Sequence, residues 1–358
     1  MSTESQFRIG TVEGFFGRQW SWEARHDHAS FLAQQQFTTY LYAPKNDAYL
    51  RKQWFDLHPD TEFRELKSLA QHSAQCGIEF GIGLSPYELY RDFSASNHDK
   101  LKRKLDQLNQ LDAPLLAVLF DDMLGDLPGL AATQLAIFDC IRQHSNATHF
   151  MLCPTYYSDD PLLVRHFGKQ PERYLQELGD GLPASVDVFW TGPKVISDSY
   201  PRDHLLEVGA RLQRKPLLWD NYPVNDAKRL TSFLHLLPFD HRDNGNFSLQ
   251  TIVELCSGLL ANPMNQAALS KIPLASLAQR FAETVGRPHA NSAFSNSEVR
   301  RLLSEDAQRF QRSGVETMSA EERAVLIQRY QACLPDKMAK EVCEWLEGKY
   351  AFDPACLT

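Results

Sequence analysis

Eight short apolar, β-prone runs recur along this chain, at residues 7–15, 38–43, 78–84, 115–120, 149–153, 186–190, 216–219 and 258–261. Stretches with helical spacing lie between most of them, as at 21–36, 62–76 and 99–111. A repeat of roughly 30 residues is that of strand–helix units, in which the crossover helix returns the chain to the same end of a parallel sheet. Eight such units over about 250 residues predict an α/β fold of the (β/α)8 TIM-barrel type. A doubly wound open sheet is the competing arrangement, but no Gly-x-Gly-x-x-Gly follows the first run to favour a dinucleotide-binding version of it.

From about Pro288 the β-prone runs stop. Ser319 and Glu322 have the spacing of a capping box, and Val325, Leu326, Tyr330 and Cys333 follow as an apolar stripe. Pro335 ends that helix, and a last one is expected over 336–348, closed by Gly348. The chain is therefore expected to divide into a barrel, residues 1–287, and a small C-terminal α-helical region, residues 288–358. These helices are expected to pack under the barrel or to make an oligomer contact.

Composition removes several classes of function. Of the 358 residues 43% are hydrophobic and 23% charged, an ordinary globular balance that excludes a mainly disordered or fibrous chain. No apolar run reaches the roughly 18 residues of a membrane span. A formal net charge of −8 argues against a nucleic-acid partner. The N-terminus shows no basic segment followed by an apolar stretch, so no signal peptide is expected. The 7 cysteines are scattered without a Cys-x-x-Cys, which fits a reducing cytoplasm better than a disulfide framework or a zinc site.

Active sites of such barrels lie at the C-terminal ends of the strands. Read in order, those ends carry Glu13 and Gly14, Tyr42 and Lys45, Ser85, Asp121 and Asp122, Thr155 and Tyr157, Thr191, Asp220 and Asn221, and Asn262. The sharpest feature is the adjacent pair Asp121-Asp122 after a buried run. Two like charges so close are expected to raise at least one pKa, giving the one acid and one anion that glycosidic cleavage needs. The same pair also suits a helix N-terminus or a divalent metal. Asn225, Asp226 and Asn262 offer groups for sugar hydroxyls, and Tyr42, Tyr157, Trp190 and Trp219 offer flat faces for C–H surfaces, although each Trp equally suits a core. His26 and His28, two apart on a helix, point to different faces and read as surface histidines. Neither a His-Glu-x-x-His nor a Gly-x-Ser-x-Gly is present.

Several segments resemble, in order, the motifs of glycoside hydrolase family 84, the β-N-acetylglucosaminidases that include the protein O-GlcNAcases. They are Val12-Glu-Gly-Phe-Phe-Gly-Arg18, Thr39-Tyr-Leu-Tyr-Ala-Pro-Lys45, Leu119-Phe-Asp-Asp122, Cys153-Pro-Thr-Tyr-Tyr157, Trp190-Thr-Gly-Pro-Lys-Val195, Leu218-Trp-Asp-Asn221 with Asp226, and Asn262-Pro-Met-Asn-Gln-Ala. The resemblance implies a (β/α)8 glycoside hydrolase domain with a retaining, substrate-assisted mechanism, an exception to the two-carboxylate scheme. In it the sugar's own 2-acetamido oxygen attacks the anomeric carbon and forms an oxazoline. Asp121 would hold the acetamido N–H, Asp122 would be the general acid and then the base, and Tyr157 would bind the acetamido oxygen. Gly14, Lys45, Asn221, Asp226 and Asn262 would bind hydroxyls or shape the pocket, with Trp219 and Val195 as its walls. No metal or cofactor is implied, and the partner is a GlcNAc-bearing glycoside or glycoprotein, cut from its end. Phe16 stands where a Tyr is common, and the short helical tail stands where the animal enzymes carry a long stalk and an acetyltransferase-like domain. Two other readings are a non-catalytic GlcNAc-binding barrel and a metal-dependent barrel hydrolase. The natural aglycone and the choice between GlcNAc and GalNAc are not encoded in these motifs.

Overall fold

The computed structural model describes residues 7–239, 241, 247–288 and 297–356. Eight parallel strands close into a barrel in sequence order: β1 (Arg8–Glu13), β2 (Thr39–Tyr42), β3 (Glu79–Leu84), β4 (Leu115–Leu119), β5 (His149–Cys153), β6 (Asp187–Trp190), β7 (Leu217–Asp220) and β8 (Gly258–Ala261). The ring closes where β8 pairs with β1, Leu259 opposite Ile9 and Ala261 opposite Thr11. This settles the fold against the open sheet. Every residue of β2, β4, β7 and β8 is buried. Such strands face the barrel interior on one side and helices on the other, so they read as continuous apolar runs rather than alternating ones. The first run was expected to reach residue 15, but β1 stops at Glu13, where Gly14 N–H turns back onto the Val12 carbonyl at 2.9 Å.

Helices cover the outside: α1 (Trp22–Gln34), α2 (Asp60–Gln75), α3 (Ala95–Asn109), α4 (Leu130–His144), α5 (Pro161–Phe167), α6 (Tyr174–Gly181), α7 (Arg202–Leu212), α8 (Leu249–Leu255) and α9 (Ala267–Val285). α1 starts where the Ser21 side chain accepts from Ala24 N–H, and it packs on both α2 and α9, completing the outer ring. The histidines on α1 correct an expectation. His28 is fully buried, its ring 2.9 Å from the Thr11 hydroxyl and edge-on to Trp20 and Tyr40, and burial pushes its pKa down to about 3. Only His26 lies toward the surface, beside His72 of α2. The two-residue spacing does separate the faces, but one of those faces lies against the barrel.

The C-terminal part contains α10 (Glu298–Arg312), α11 (Ala320–Gln331) and α12 (Lys337–Leu346). The Ser319–Glu322 capping box forms, with both reciprocal hydrogen bonds. The stripe on α11 is narrower than expected: Leu326 and Tyr330 are buried, whereas Val325 is 64% exposed. Phe310, Tyr330 and Trp345 share one apolar cluster with Leu234, Leu236 and Leu237 after β7 and with Met264 and Leu269 after β8. Backbone and side chains add to this contact. Leu234 N–H donates to the Phe310 carbonyl at 3.2 Å, and the Trp345 indole N–H to the Thr231 carbonyl at 3.2 Å. Glu341 accepts from Ala268 and Leu269 N–H at 3.0 and 2.9 Å, occupying the first turn of α9. The helices therefore pack on loops at the strand-C-terminal end of the barrel, not beneath it. No helix among the described residues is long and apolar enough to cross a membrane.

Candidate active site

The loops at the C-terminal ends of the strands line a cavity with about 540 Å³ of open space, part of it continuous with solvent. All ten positions expected at the site line it: Gly14 after β1, Lys45 after β2, Asp121 and Asp122 after β4, Tyr157 after β5, Val195 after β6, Trp219 within β7, Asn221 and Asp226 after it, and Asn262 after β8. Other expected strand-end groups do structural work elsewhere. Tyr42 donates to Asp47 at 3.0 Å, and the Trp190 indole donates to His204 at 2.9 Å. The Thr155 hydroxyl donates to the Phe120 carbonyl, and the Asn225 amide to Gln266. Ser85 is buried but does not line the cavity.

Neighbouring residues of an extended chain point to opposite sides. Asp121 and Asp122 nevertheless both reach Lys45, because Asp122 has a left-handed backbone, φ +57°, that turns the chain as it leaves β4. A non-glycine residue in this region carries a backbone cost, smaller for Asp than for most residues, and such positions gather at functional sites. The Lys45 ammonium hydrogen-bonds Asp121 Oδ2 and stands 3.2 Å from Asp122 Oδ2.

This bridging cation overturns the like-charge expectation. Burial presses the Asp122 pKa upward, but the charges of Lys45 and Arg51 and a hydrogen bond from Tyr157 outweigh it, so the carboxyl sits below its ordinary range. Lys45 is correspondingly held protonated: its own burial is outweighed by Asp121 and Asp122. The carboxyl that is raised is Asp226, pushed to about 6 chiefly by burial. Its Oδ2 accepts from Phe16 N–H at 2.8 Å, which opposes the rise.

One acceptor at this site is unused. Asp121 Oδ1 is buried and has no hydrogen-bond partner among the described residues. A carboxylate oxygen left free toward a cavity is an acceptor that a ligand N–H or O–H can use. Tyr157 O–H, on the neighbouring side, donates to Asp122 Oδ1 at 3.0 Å.

The two asparagines shape the pocket through bonds to protein. Asn221 Oδ1 accepts from the Trp219 indole and from Asn262, both at 3.0 Å, while its Nδ2 donates to the Val195 carbonyl at 2.8 Å. Asn262 Oδ1 accepts from Gly14 N–H at 3.2 Å. This bracket fixes Trp219, whose ring stands edge-on to Phe189 at 5.2 Å. Gly14 makes the packing feasible, since a Cβ there would lie 2.1 Å from Trp219 Cζ2.

Phe16, Cys153, Thr191, Ile196, Val224 and Cys356 also line the cavity. Arg51 was missed altogether. Buried, it packs its guanidinium over the Tyr87 ring at 4.9 Å and donates through Nη2 to the Asp122 carbonyl at 3.4 Å. The only sequence signal for it was a cation six residues past Lys45 in the same loop. Among the described residues no group of three His, Cys, Asp or Glu side chains is placed to hold a metal ion.

Residues 9–312 match the family described as beta-N-acetylglucosaminidase. The protein O-GlcNAcases of Mus musculus and Rattus norvegicus are each 30% identical over 305 residues, which cover 82% of this chain and 32% of theirs. The chain thus spans about a third of the length of the curated relatives it matches. A solved mutant of the Thermobaculum terrenum O-GlcNAc hydrolase superposes with a TM-score of 0.71 at 27% identity, over 96% of this chain and 81% of that one.

Proposed function

Because the chain belongs to the β-N-acetylglucosaminidase family, we propose that it is a retaining, exo-acting β-N-acetylglucosaminidase that removes terminal β-linked GlcNAc with the help of the sugar's own acetamido group. The observation that carries this reading is the orphaned Asp121 Oδ1, buried in the cavity that Tyr157 also lines. An acetamido group needs an acceptor for its N–H and a donor for its oxygen, and these two residues supply one each. Held so, the acetamido oxygen attacks the anomeric carbon while Asp122 gives its proton to the departing oxygen. The C1–O bond to the aglycone breaks, and a C1–O bond to the acetamido oxygen forms. The positive charge that develops on the nitrogen lies against ionised Asp121. Asp122 then takes a proton from water as it adds to C1, the oxazoline opens, and the configuration is retained.

Lys45, Arg51 and Tyr157 favour the anionic form of Asp122. Seating the sugar redirects two of the groups responsible, Tyr157 to the acetamido oxygen and Lys45 to a hydroxyl. Each loss favours the protonated form that the acid needs. Asp226 accepts from further hydroxyls, and the Asn221–Asn262–Gly14 bracket holds Trp219 as the wall of the acetamido pocket. The substrate class is a GlcNAc-bearing glycoside or glycoprotein, and the scattered cysteines support a reducing, cytoplasmic setting. The metal-dependent reading is disfavoured because an ammonium already bridges the carboxylate pair.

The test is hydrolysis of a chromogenic β-N-acetylglucosaminide in excess EDTA, with the matching β-glucoside as control. Cleavage of the N-acetyl sugar alone is expected. Cleavage of neither would mean that the barrel has changed its substrate or become a sugar-binding protein, and loss of activity with EDTA would restore the metal reading.

A further inference from the structure

We propose that the C-terminal segment 350–356 forms the outer wall of the aglycone side of the active-site cavity and limits the size of the group that the sugar carries; this rests on the reading of the site as a β-N-acetylglucosaminidase. After α12 the chain turns at Gly348, φ +77°, and runs back across the loops that follow β1 and β2. Arg18, from the first of these, pairs with Glu344 at 2.7 Å and lies over the Tyr350 ring at 5.0 Å. Asn46, from the second, donates to Asp353 Oδ2 at 3.0 Å and to the Gly17 carbonyl at 2.9 Å. Asp353 also hydrogen-bonds the Gly17 backbone. Its other oxygen accepts from Ala355 N–H at 2.9 Å, and its carbonyl from Cys356 N–H at 3.0 Å, which closes a turn. That turn delivers Cys356, 6% exposed, to the cavity lining.

The side of the cavity follows from the neighbours of these anchors. Gly17 adjoins Phe16, and Asn46 adjoins Lys45, both of which line the cavity. The Phe16 ring lies 5.7 Å from the Arg51 guanidinium, which reaches the Asp122 carbonyl. Phe16 spans the rim: its N–H meets Asp226, which faces the sugar hydroxyls, while its ring turns toward Arg51 and Lys45 beside Asp122. Asp122 is the group assigned to the leaving oxygen, so the loop supporting the segment reaches the position of the aglycone. Cys356 is one lining residue among many at the cavity, the geometry of a wall rather than a plug.

The experiment compares kcat/KM for GlcNAc β-linked to 4-nitrophenol and to serine in a short peptide. It uses the full chain, Asp353→Ala, and a variant ending at Lys349, with a thermal melt for each. Loosening or removing the wall is expected to raise the peptide-to-aryl ratio at least about fivefold, the scale on which steric discrimination in a pocket operates. An unchanged ratio in folded Asp353→Ala overturns the proposal, as does a parallel loss on both substrates, which would make the segment a stabilising strap only. Should the shortened chain fail to fold, Asp353→Ala decides alone. Failure of the underlying activity gives a different result: the unaltered chain cleaves neither substrate, and the wall falls with it.

Discussion

Asp226 is pulled two ways. Its carboxyl accepts most strongly from sugar hydroxyls when ionised, yet it is buried and its pKa is pushed up to about 6. A carboxyl raised in the folded state binds its proton more tightly there than in the unfolded chain. Its contribution to stability is therefore present below the unfolded pKa and is lost as pH rises through about 6. Activity and stability should move in opposite directions across that interval. We expect kcat/KM to fall as pH drops below about 6, and Asp226→Asn to lose that acid limb while melting higher than the unaltered chain at pH 8. Persistence of the limb in the Asn variant would assign it to another group. Lys45 shows the complementary effect: one ammonium placed between two carboxylates reverses the sign of a shift that adjacency alone predicts.

At the scale of elements, the strand ends divide the work. The loop after β4 supplies the carboxylates, and the loops after β7 and β8 supply the bracket that positions a wall. Gly14 is where β1 meets that bracket. Gly14→Ala should leave the barrel folded but push Trp219 aside, since no Cβ fits 2.1 Å from its ring. A misplacement of that size is expected to lower kcat/KM on the order of 10²-fold, with about 1–3 kcal/mol lost to overpacking. Normal kinetics with the Ala variant would show that Trp219 does not need its present position. The strands were legible in the sequence because a strand covered on both faces must be apolar throughout, and the pocket residues because they occur in ordered motifs. The interactions between elements were not legible. Nothing local to Asp121 and Asp122 indicates that Lys45 comes between them, nor does the α1 spacing say which histidine meets β1. Val325 and Leu326 have similar side chains; which one is buried depends on where α10 and α12 lie.

On the scale of the whole molecule, the C-terminal helices and the barrel share side chains, hydrogen bonds and a cavity wall. Trp345 is buried against a cluster that includes Met264 and Leu269, and Asn265, next in the chain after Met264, donates to the carbonyls of Phe16 and Arg18. Trp345→Ala should cost about 3–5 kcal/mol, and it should lower the melting of the whole chain in one transition rather than release the helices alone. A separate early transition that leaves hydrolysis intact would mean that the two parts are independent. The central claim, that the substrate's acetamido oxygen is the nucleophile, is tested most directly by a series of aryl glycosides carrying acetyl, monofluoroacetyl, difluoroacetyl and trifluoroacetyl groups on the sugar nitrogen. Each fluorine withdraws electron density from the attacking oxygen. The account predicts a steep, progressive fall in kcat/KM along the series, whereas a flat series would contradict it by placing the nucleophile on the protein or in water.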